Sequence, residues 1–330
     1  MSRKVTRTDV ALKAGVSKWT VARAFVPGSS ISDKARADVL AAADELGYRP
    51  NLLARSLATK TTNLVAVLVD DFANPYKLRA IEALTKALSA EGLSALLVPI
   101  DDQTDHADAV LHADQRQVDA IVLLGTAFRN STLEASRKPG SPPMFVLARE
   151  STVDGIPYVS CDAKTAMHDI VTHLVAQGYQ KPAFMSGPKT LSTALGRQKY
   201  FRQSWAKHGV KEIPEIEVGS YDARLAAEAL RASLRTRFKQ GSFDVLVCEN
   251  DVLAMGAMDV IRHEFRLKVP KDIAVVGFDG MDMAALASFG LTTYEQPIDA
   301  MARRLVEMLL EEEPARANKL VGQLRVRSSS

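Results

Sequence analysis

Apolar residues recur at helical spacing in two short segments near the start of the chain. The first segment begins at Thr6, whose hydroxyl precedes a carboxyl by three positions, as in a capping box, and Gly15 ends it. Ser17 is a good N-cap for a second helix, which extends from Lys18 to about Phe25. Two short helices joined by such a turn are typical of a helix-turn-helix unit.

Two further helical patterns follow before residue 60. The third extends over Asp33–Leu46, with Ser32 as its cap and Gly47 at the position where a left-handed glycine ends a helix. Asn51 then caps a fourth pattern over residues 52–58. A helix this short is marginal alone in water, so we expect it to form only with a partner or a ligand.

From residue 61 onward, apolar runs rich in β-branched residues alternate with helical patterns. The strand-like runs cover residues 63–69, 95–99, 119–124, 144–147, 183–186, 244–248 and 273–278. The helical patterns cover residues 77–90, 164–177, 223–237, 252–264 and 300–312. This alternation predicts parallel sheets with helices on both faces. Because such sheets bind ligands beyond the carboxyl ends of their strands, the residues that follow the strands are candidates for a binding site.

The charge of the chain is unevenly distributed. The net charge is +3, but the first sixty positions hold 11 Lys and Arg against 5 Asp and Glu, and the remaining 270 hold 31 against 34. A basic head on a mildly acidic body indicates a module that binds a polyanion, fused to a domain with another function. A solvated basic surface would account for the charge equally well, so the residue pattern must decide.

Composition excludes several classes of protein. The chain is 47% hydrophobic and 25% charged, and its two cysteines, Cys161 and Cys248, lie in apolar runs, where we expect reduced, buried thiols. No apolar run is long enough to span a membrane, and no signal peptide is recognisable, so we expect a cytoplasmic protein. Phosphate-binding loops, a hydrolase elbow and metal-binding histidine clusters are all absent from the sequence, so we predict no catalytic residue, metal or cofactor.

Several motifs in the first sixty residues carry a resemblance to a known family. They are DVALKAGVSKWTVAR at residues 9–23, LGYRPN at residues 46–51 and ARSL at residues 54–57. Together they resemble the lactose/galactose repressor (LacI/GalR) family of bacterial transcription regulators. The resemblance implies that the second helix lies in the DNA major groove, and that hinge helices from two subunits enter the minor groove, where Leu57 wedges between bases. The residues that we predict to contact DNA are Thr6, Ser17, Lys18, Trp19, Thr20, Arg23, Ser32, Asn51, Ala54 and Leu57.

The resemblance continues through the rest of the chain, in motifs such as NPY at residues 74–76, END at residues 249–251 and VGFD at residues 276–279. It implies an all-α helix-turn-helix head in residues 1–50 and a hinge helix with linker in residues 51–60. Residues 61–330 would form an effector-binding and dimerisation domain of the type I periplasmic-binding-protein-like fold. In that fold two similar α/β subdomains are joined by three crossovers, and the effector lies between them.

A polyol effector needs planar or charged hydrogen-bond partners for its hydroxyls and a flat apolar surface for its ring. The family often carries an acidic residue at the position of Ala148, and the alanine here leaves Arg149 beside the cleft without that carboxylate. We therefore hypothesise an effector that is smaller than a disaccharide or negatively charged, such as a sugar acid or sugar phosphate. The residues that we predict to bind it are Phe72, Tyr76, Arg149, Arg197, Tyr221, Asn250, Asp279 and Gln296.

These observations predict a ligand-responsive transcription regulator, most simply a repressor that binds a pseudopalindromic operator as a homodimer. No apolar heptad tail follows Arg327, which favours a dimer over a tetramer. The sequence leaves open whether the effector releases the operator or acts as a co-repressor. A solute-binding protein and an enzyme on the same scaffold are the alternatives, and the helix-turn-helix pattern argues against the first.

Overall fold

The computed structural model describes residues 5–26, 28–50, 56, 61–100, 106–125, 140–151, 155–190, 196–236 and 241–330. The chain divides into two compact units, Met1–Thr62 and Asn63–Ser330. No helix in the described ranges is long and apolar enough to cross a membrane.

Local signals in the sequence account for the helices of the first unit. These are α1 (Arg7–Ala14), α2 (Lys18–Ala24) and α3 (Asp33–Leu46). The Ser17 and Ser32 hydroxyls accept the backbone N–H groups of Thr20 and Ala35 over 3.1 and 3.2 Å. Gly47 ends α3 with a φ of 66°, which a residue with a side chain adopts only with strain. The helices therefore begin and end where the sequence predicts.

The first unit is held together by a small core of apolar side chains. Each of the three helices contributes two or three of them, and alanines at the contact positions allow the helices to approach closely. The core consists of Val10, Ala11, Val21, Ala24, Val39, Ala42, Ala43 and Tyr48.

The second unit contains two six-stranded sheets. The first sheet has the order β11-β5-β4-β3-β1-β2, with all pairings parallel. Its strands are β1 (Leu64–Val69), β2 (Ser94–Pro99), β3 (Ala120–Leu124), β4 (Met144–Leu147), β5 (Tyr158–Cys161) and β11 (Ala317–Leu320).

The second sheet has the order β12-β10-β9-β8-β6-β7. It is parallel except for β12, which pairs antiparallel with β10. Its strands are β6 (Pro182–Ser186), β7 (Glu215–Glu217), β8 (Val245–Cys248), β9 (Ala274–Asp279), β10 (Thr292–Glu295) and β12 (Gln323–Arg325).

Helices connect the strands of both sheets. The first sheet carries α4 (Pro75–Ala90) and α5 (His106–Gln115), and α10 (Ile298–Leu310) packs on α4. The second carries α6 (Ala163–Ala176), α7 (Arg197–Ala206), α8 (Ala223–Thr236), α9 (Asp251–Asp259), a π-helical turn at Val260–Glu264 and a 3-10 turn at Asp282–Ala285.

The chain passes between the two sheets three times: after β5, after β10 and between β11 and β12. Two α/β subdomains joined by three crossovers are therefore present, as the resemblance implies. The short strands β7, β11 and β12 do not appear among the predicted apolar runs. Their more and less buried residues alternate, and most of their side chains are polar. The pattern over residues 252–264 is also interrupted, since its last turn is π-helical.

Both cysteines are buried and form no disulfide. Burial raises the pKa of the Cys161 thiol to about 12, although Arg197 opposes the shift. The thiol is therefore protonated at neutral pH.

Candidate functional site

The exposed face of α2 carries most of the residues predicted to contact DNA. Val21 and Ala24 point into the small core, whereas Ser17, Lys18 and Trp19 are exposed. The remaining two, Thr20 and Arg23, are partly buried. One helix face therefore presents hydroxyls, cations and an indole together, which suits the edges of base pairs in a major groove.

Trp19 and Arg23 are in contact on this face. The Arg23 Cζ lies 4.1 Å from the centroid of the Trp19 ring, so the guanidinium stacks on the indole. The Arg23 Nη1 also donates a hydrogen bond to the Ser30 carbonyl over 3.2 Å. Arg23 is therefore held at two points.

Arg36, which the sequence analysis does not single out, fixes the segment that follows α2. Its Nη1 donates to the carbonyls of Ala24 and Val26 over 2.7 and 3.2 Å. Its Nη2 donates to the carbonyl and hydroxyl oxygens of Ser29 over 3.1 and 3.0 Å. The guanidinium thus satisfies carbonyls at the end of α2, and it is a positioning group for the predicted DNA surface.

The other residues predicted to contact DNA lie elsewhere. Thr6 and Ser32 are exposed at the starts of α1 and α3. The Thr6 backbone N–H donates to the Asp9 carboxylate over 2.8 Å. The hinge residues Asn51, Ala54 and Leu57 lie outside the described residues. All of these assignments remain predictions.

In the second unit, strand ends from both sheets line two adjoining cavities of about 70 and 50 Å³. Ala148, Arg149, Arg197 and Tyr221 line both. Tyr76, Asn250 and Asp279 line the smaller cavity, and Gln296 lines the larger. All the residues predicted to bind the effector therefore meet at one site, except Phe72.

Phe72 lies in the turn between β1 and α4 and leaves 40% of its surface exposed. It is not among the residues that line either cavity. Asn74 caps α4 two residues later, and Tyr76 in the first turn of that helix lines the smaller cavity. The sequence identified an aromatic segment correctly but could not tell which ring turns inward.

Arg197 and Asp279 form the charged centre of this site. The Arg197 Nη1 donates to the Glu249 carbonyl over 2.5 Å, and its Nη2 lies 3.5 Å from the Asp279 Oδ1. The Phe278 ring packs flat against this guanidinium, with 3.7 Å from Cζ to the ring centroid. The Gln296 Nε2 donates to the same Asp279 oxygen over 2.7 Å.

Asp279 combines a rare backbone conformation with a raised carboxyl pKa. Its φ of 116° is rare for a residue with a side chain, and such strain concentrates at functional sites. Burial raises the pKa of its carboxyl to about 6, against the opposing effects of Arg197 and Gln296. The carboxylate is therefore ionised at neutral pH and can accept hydroxyl hydrogen bonds.

Glu249 is a further buried acid that is absent from the predicted set. Its Oε2 accepts the Gly187 N–H over 2.6 Å, and Tyr221 hydrogen-bonds to its carboxylate. Burial raises the pKa of Glu249, and Arg197 opposes this shift. The Tyr221 ring lies so close to Gly187 that a Cβ there would come within 2.2 Å of it. The glycine therefore lets this ring enter the site.

Lys77 is another buried charged residue of the cleft that is absent from the predicted set. Its Nζ donates to the Asp70 Oδ1 over 2.6 Å and to the Leu124 carbonyl over 3.3 Å. Both members of the ion pair are buried. A lysine in the first turn of a helix looks exposed in sequence, and only the fold reveals its partner.

Arg149 enters both cavities from the end of β4. The preceding residue, Ala148, has a φ of 66°, a left-handed conformation that is uncommon for alanine. Burial lowers the pKa of Arg149 to about 10, although Asp70 attracts the cation and opposes the shift. The guanidinium is therefore still charged at neutral pH.

Four buried polar atoms in the cavity walls have no hydrogen-bond partner within the described part of the chain. They are the Tyr76 Oη, Ser160 Oγ, Asn250 Nδ2 and Gln296 Oε1. Buried polar groups are almost always paired, so an unpaired cluster needs an explanation. A ligand rich in hydroxyls would satisfy these atoms. No group of residues able to hold a metal ion occurs in the described ranges.

Two known protein families match this chain, one for each of its two units. The family of bacterial regulatory proteins, lacI family, matches residues 6–51. Residues 61–320 match the family of periplasmic binding proteins and sugar binding domain of LacI family. The chain belongs to the LacI family. The fold and the family predicted from the sequence are thereby confirmed.

Individual relatives agree with this assignment. The ribose operon repressor of Halalkalibacterium halodurans is 30% identical over 313 residues, which are 94% of this chain and 91% of that protein. The transcriptional repressor CytR of Escherichia coli is 28% identical over 311 residues, which are 93% and 89% of the two chains. The Lac repressor dimer bound to operator and the anti-inducer ONPF superimposes with a TM-score of 0.87 at 25% identity, covering 99% of both chains.

Proposed function

We propose that this LacI-family protein is a repressor that binds a pseudopalindromic operator as a homodimer and responds to a small effector in the cleft. The Lac repressor, which has the same architecture, binds its operator as a dimer. The head here supplies the exposed basic helix that such binding needs, and we place the protein in the cytoplasm, where the DNA is. The relatives are repressors, and we assign no enzyme activity.

The observation that carries the effector role is the buried polar lining of the cleft. The four unpaired polar atoms and the Asp279 carboxylate offer both donors and acceptors to hydroxyl groups. The Tyr221 ring adds flat apolar surface. A sugar or a sugar derivative meets both requirements.

The size and charge of the site narrow the effector further. Two adjoining cavities of only about 70 and 50 Å³ suit a monosaccharide better than a disaccharide. Arg149 presents a buried cation to both cavities. We therefore include sugar acids and sugar phosphates among the effectors, because their anionic groups complement a guanidinium.

The coupling between effector and operator must be reciprocal, since both ligands bias one equilibrium between subdomain arrangements. A thermal-shift screen of monosaccharides, their acids and their phosphates should identify a compound that raises the melting temperature. Fluorescence anisotropy with genomic duplexes should then show that this compound changes operator affinity. A compound that binds without changing DNA affinity would instead indicate a solute-binding function.

The charge of the effector can be tested separately. Calorimetric titration of matched neutral and anionic sugars should show that Arg149→Gln weakens binding of the anionic member selectively. Lys164→Gln, which removes an exposed cation from α6 that lines neither cavity, is the matched control and should change neither affinity. Tight binding of neutral sugars alone would reject the anionic effector but leave the repressor function intact.

A further inference from the structure

We propose that Trp19 positions Arg23 to read a guanine, so that the two residues act as one stacked unit in operator recognition. This inference rests on the proposed role of α2 in DNA binding. It assigns to Trp19 a task that differs from a separate contact with DNA, because the indole would act through its neighbour.

The first observation is the placement of the indole. Trp19 is 64% exposed and lies on the face of α2 opposite Val21 and Ala24, which fill the core. Trp19 and Arg23 are separated by four positions, so their side chains lie one above the other on the helix surface. The distance of 4.1 Å from Cζ to the ring centroid shows that they are stacked. Trp19 therefore covers one face of a cation rather than supporting the fold.

The second observation is the anchor on the other side of Arg23. The Nη1 donates to the Ser30 carbonyl, and the neighbouring Ser29 is held by the Arg36 Nη2. The Ser29 hydroxyl also donates to the Arg23 carbonyl over 2.5 Å. The loop that anchors the guanidinium is thus itself fixed to α2 and α3.

These restraints leave the rest of the guanidinium for another partner. Within the described residues, the Ser30 carbonyl accepts the one hydrogen bond that the Arg23 side chain donates. A guanidinium has five N–H donors in a planar fork, and guanine presents O6 and N7 as matching acceptors in the major groove. A side chain already ordered in the free protein loses less conformational entropy when it binds. Stacking on Trp19 therefore favours the two-pronged contact with guanine over looser contacts with other bases.

The test starts from duplexes selected by the full-length protein from a random library. Dissociation constants by fluorescence anisotropy are then measured for each single base-pair substitution. Replacing the guanine that Arg23 reads should weaken wild-type binding about tenfold to a hundredfold. The variant W19A should reduce this discrimination to about threefold or less, whereas W19F, which keeps an aromatic face, should retain most of it.

A double-mutant cycle separates positioning from direct contact. The variant R23A should abolish the discrimination, and W19A should add nothing further at that base pair in the R23A background. Leu12→Ala is the matched control, since Leu12 is 77% exposed on α1 and should leave the base preference unchanged. The melting temperature should stay constant in W19A and in Leu12→Ala, because both apolar side chains are largely exposed.

Three results would overturn the inference. They are additive effects in the cycle, an equal loss of affinity by W19A on every duplex, or an enriched duplex with no guanine whose recognition depends on Arg23. Failure of any duplex to be enriched would contradict the proposed DNA-binding function instead, so the two failures are distinguishable.

Discussion

The helical unit exposes the side chains that it offers for recognition, whereas the α/β unit buries them. Trp19 and Arg23 project from a helix whose ends are set by adjacent residues. Arg197 and Asp279 meet from a helix start and a strand end that lie 82 positions apart. A buried polar group left without a partner costs about 1–3 kcal/mol of folding stability. A substitution in the cleft is therefore more costly than one on an exposed helix face.

Recognition can therefore change independently of stability in the helical unit, but not in the cleft. Substitutions on the exposed face of α2 should alter which DNA is bound while leaving the fold intact. Substitutions among the buried charges of the cleft should alter effector affinity and stability together.

Arg197→Ala should have the largest effect. It leaves the buried Asp279 carboxylate without its cation, and breaking a buried ion pair costs about 3–5 kcal/mol. Effector affinity should therefore fall more than a hundredfold in calorimetry, and the melting temperature of the α/β unit should fall by several degrees. Lys199→Ala, an exposed change on the same helix, should alter neither quantity. Binding within threefold of wild type would show that Arg197 is peripheral to the effector.

Arg36→Ala tests how much the hydrogen bonds of one guanidinium stabilise the helical unit. It removes four hydrogen bonds to the segment after α2, with an expected loss of about 2–3 kcal/mol from the head. Hydrogen exchange of the amides in residues 24–31 of the full chain should become faster, while effector affinity stays constant. Arg49→Ala, at an exposed position after α3, is the control. Unchanged exchange would show that the segment is held by other contacts.

Sequence reasoning succeeds where structure is specified by neighbouring residues. Ser17, Ser32 and Gly47 define helix ends through contacts within three or four positions, and all three act as predicted. Most of the buried strands are equally legible, because their apolar runs are continuous on both faces. The buried strands β5 and β10 are exceptions, since neither is among the predicted runs.

It fails where a side chain depends on a distant partner. Lys77 looks like an ordinary surface charge until Asp70 is brought beside it. Glu249 follows a predicted strand, but only the fold shows that it accepts the Gly187 N–H. Arg36 is likewise one basic residue among many in the head, and only the fold shows that carbonyls of the next loop converge on it. The residue types that follow the strands identify the site from the sequence. The hydrogen bonds within the site become evident only in the three-dimensional structure.

The raised pKa of Asp279 predicts that effector binding depends on pH. Burial raises this pKa to about 6, so the carboxylate that accepts ligand hydroxyls becomes protonated as pH falls below 6. Affinity should thus be nearly constant from pH 8 to 7 and about tenfold weaker at pH 5, because the ionised fraction of a group that takes up a single proton falls about tenfold for each pH unit below its pKa. Calorimetry across this range should show that Asp279→Asn binds weakly at every pH. A pH profile that Asp279→Asn leaves unchanged would assign the titration to Glu249, which is also buried and has a raised pKa.

The smallest predicted effect concerns a contact between the subdomains outside the cavity walls. Arg79 on α4, beside the first sheet, donates through Nη1 to the Gly280 carbonyl of the second over 2.9 Å, and its Nη2 lies 3.5 Å from the Glu295 Oε1. The Arg325 Nε binds the other Glu295 oxygen over 2.5 Å, so this carboxylate is already fixed when Arg79 reaches it.

Because Arg79 bridges the two subdomains, its contacts stabilise only arrangements that keep them at this separation. The side chain is 31% exposed, and partly exposed ion pairs contribute about 0.5–1 kcal/mol, so Arg79→Ala should weaken effector binding about two- to fivefold in calorimetry. Lys86→Ala removes an exposed ion pair from the same helix without touching the second subdomain and should leave the affinity unchanged. If both variants bind equally well, Arg79 makes a screened surface contact, and the energy that holds the subdomains together lies within the buried lining alone.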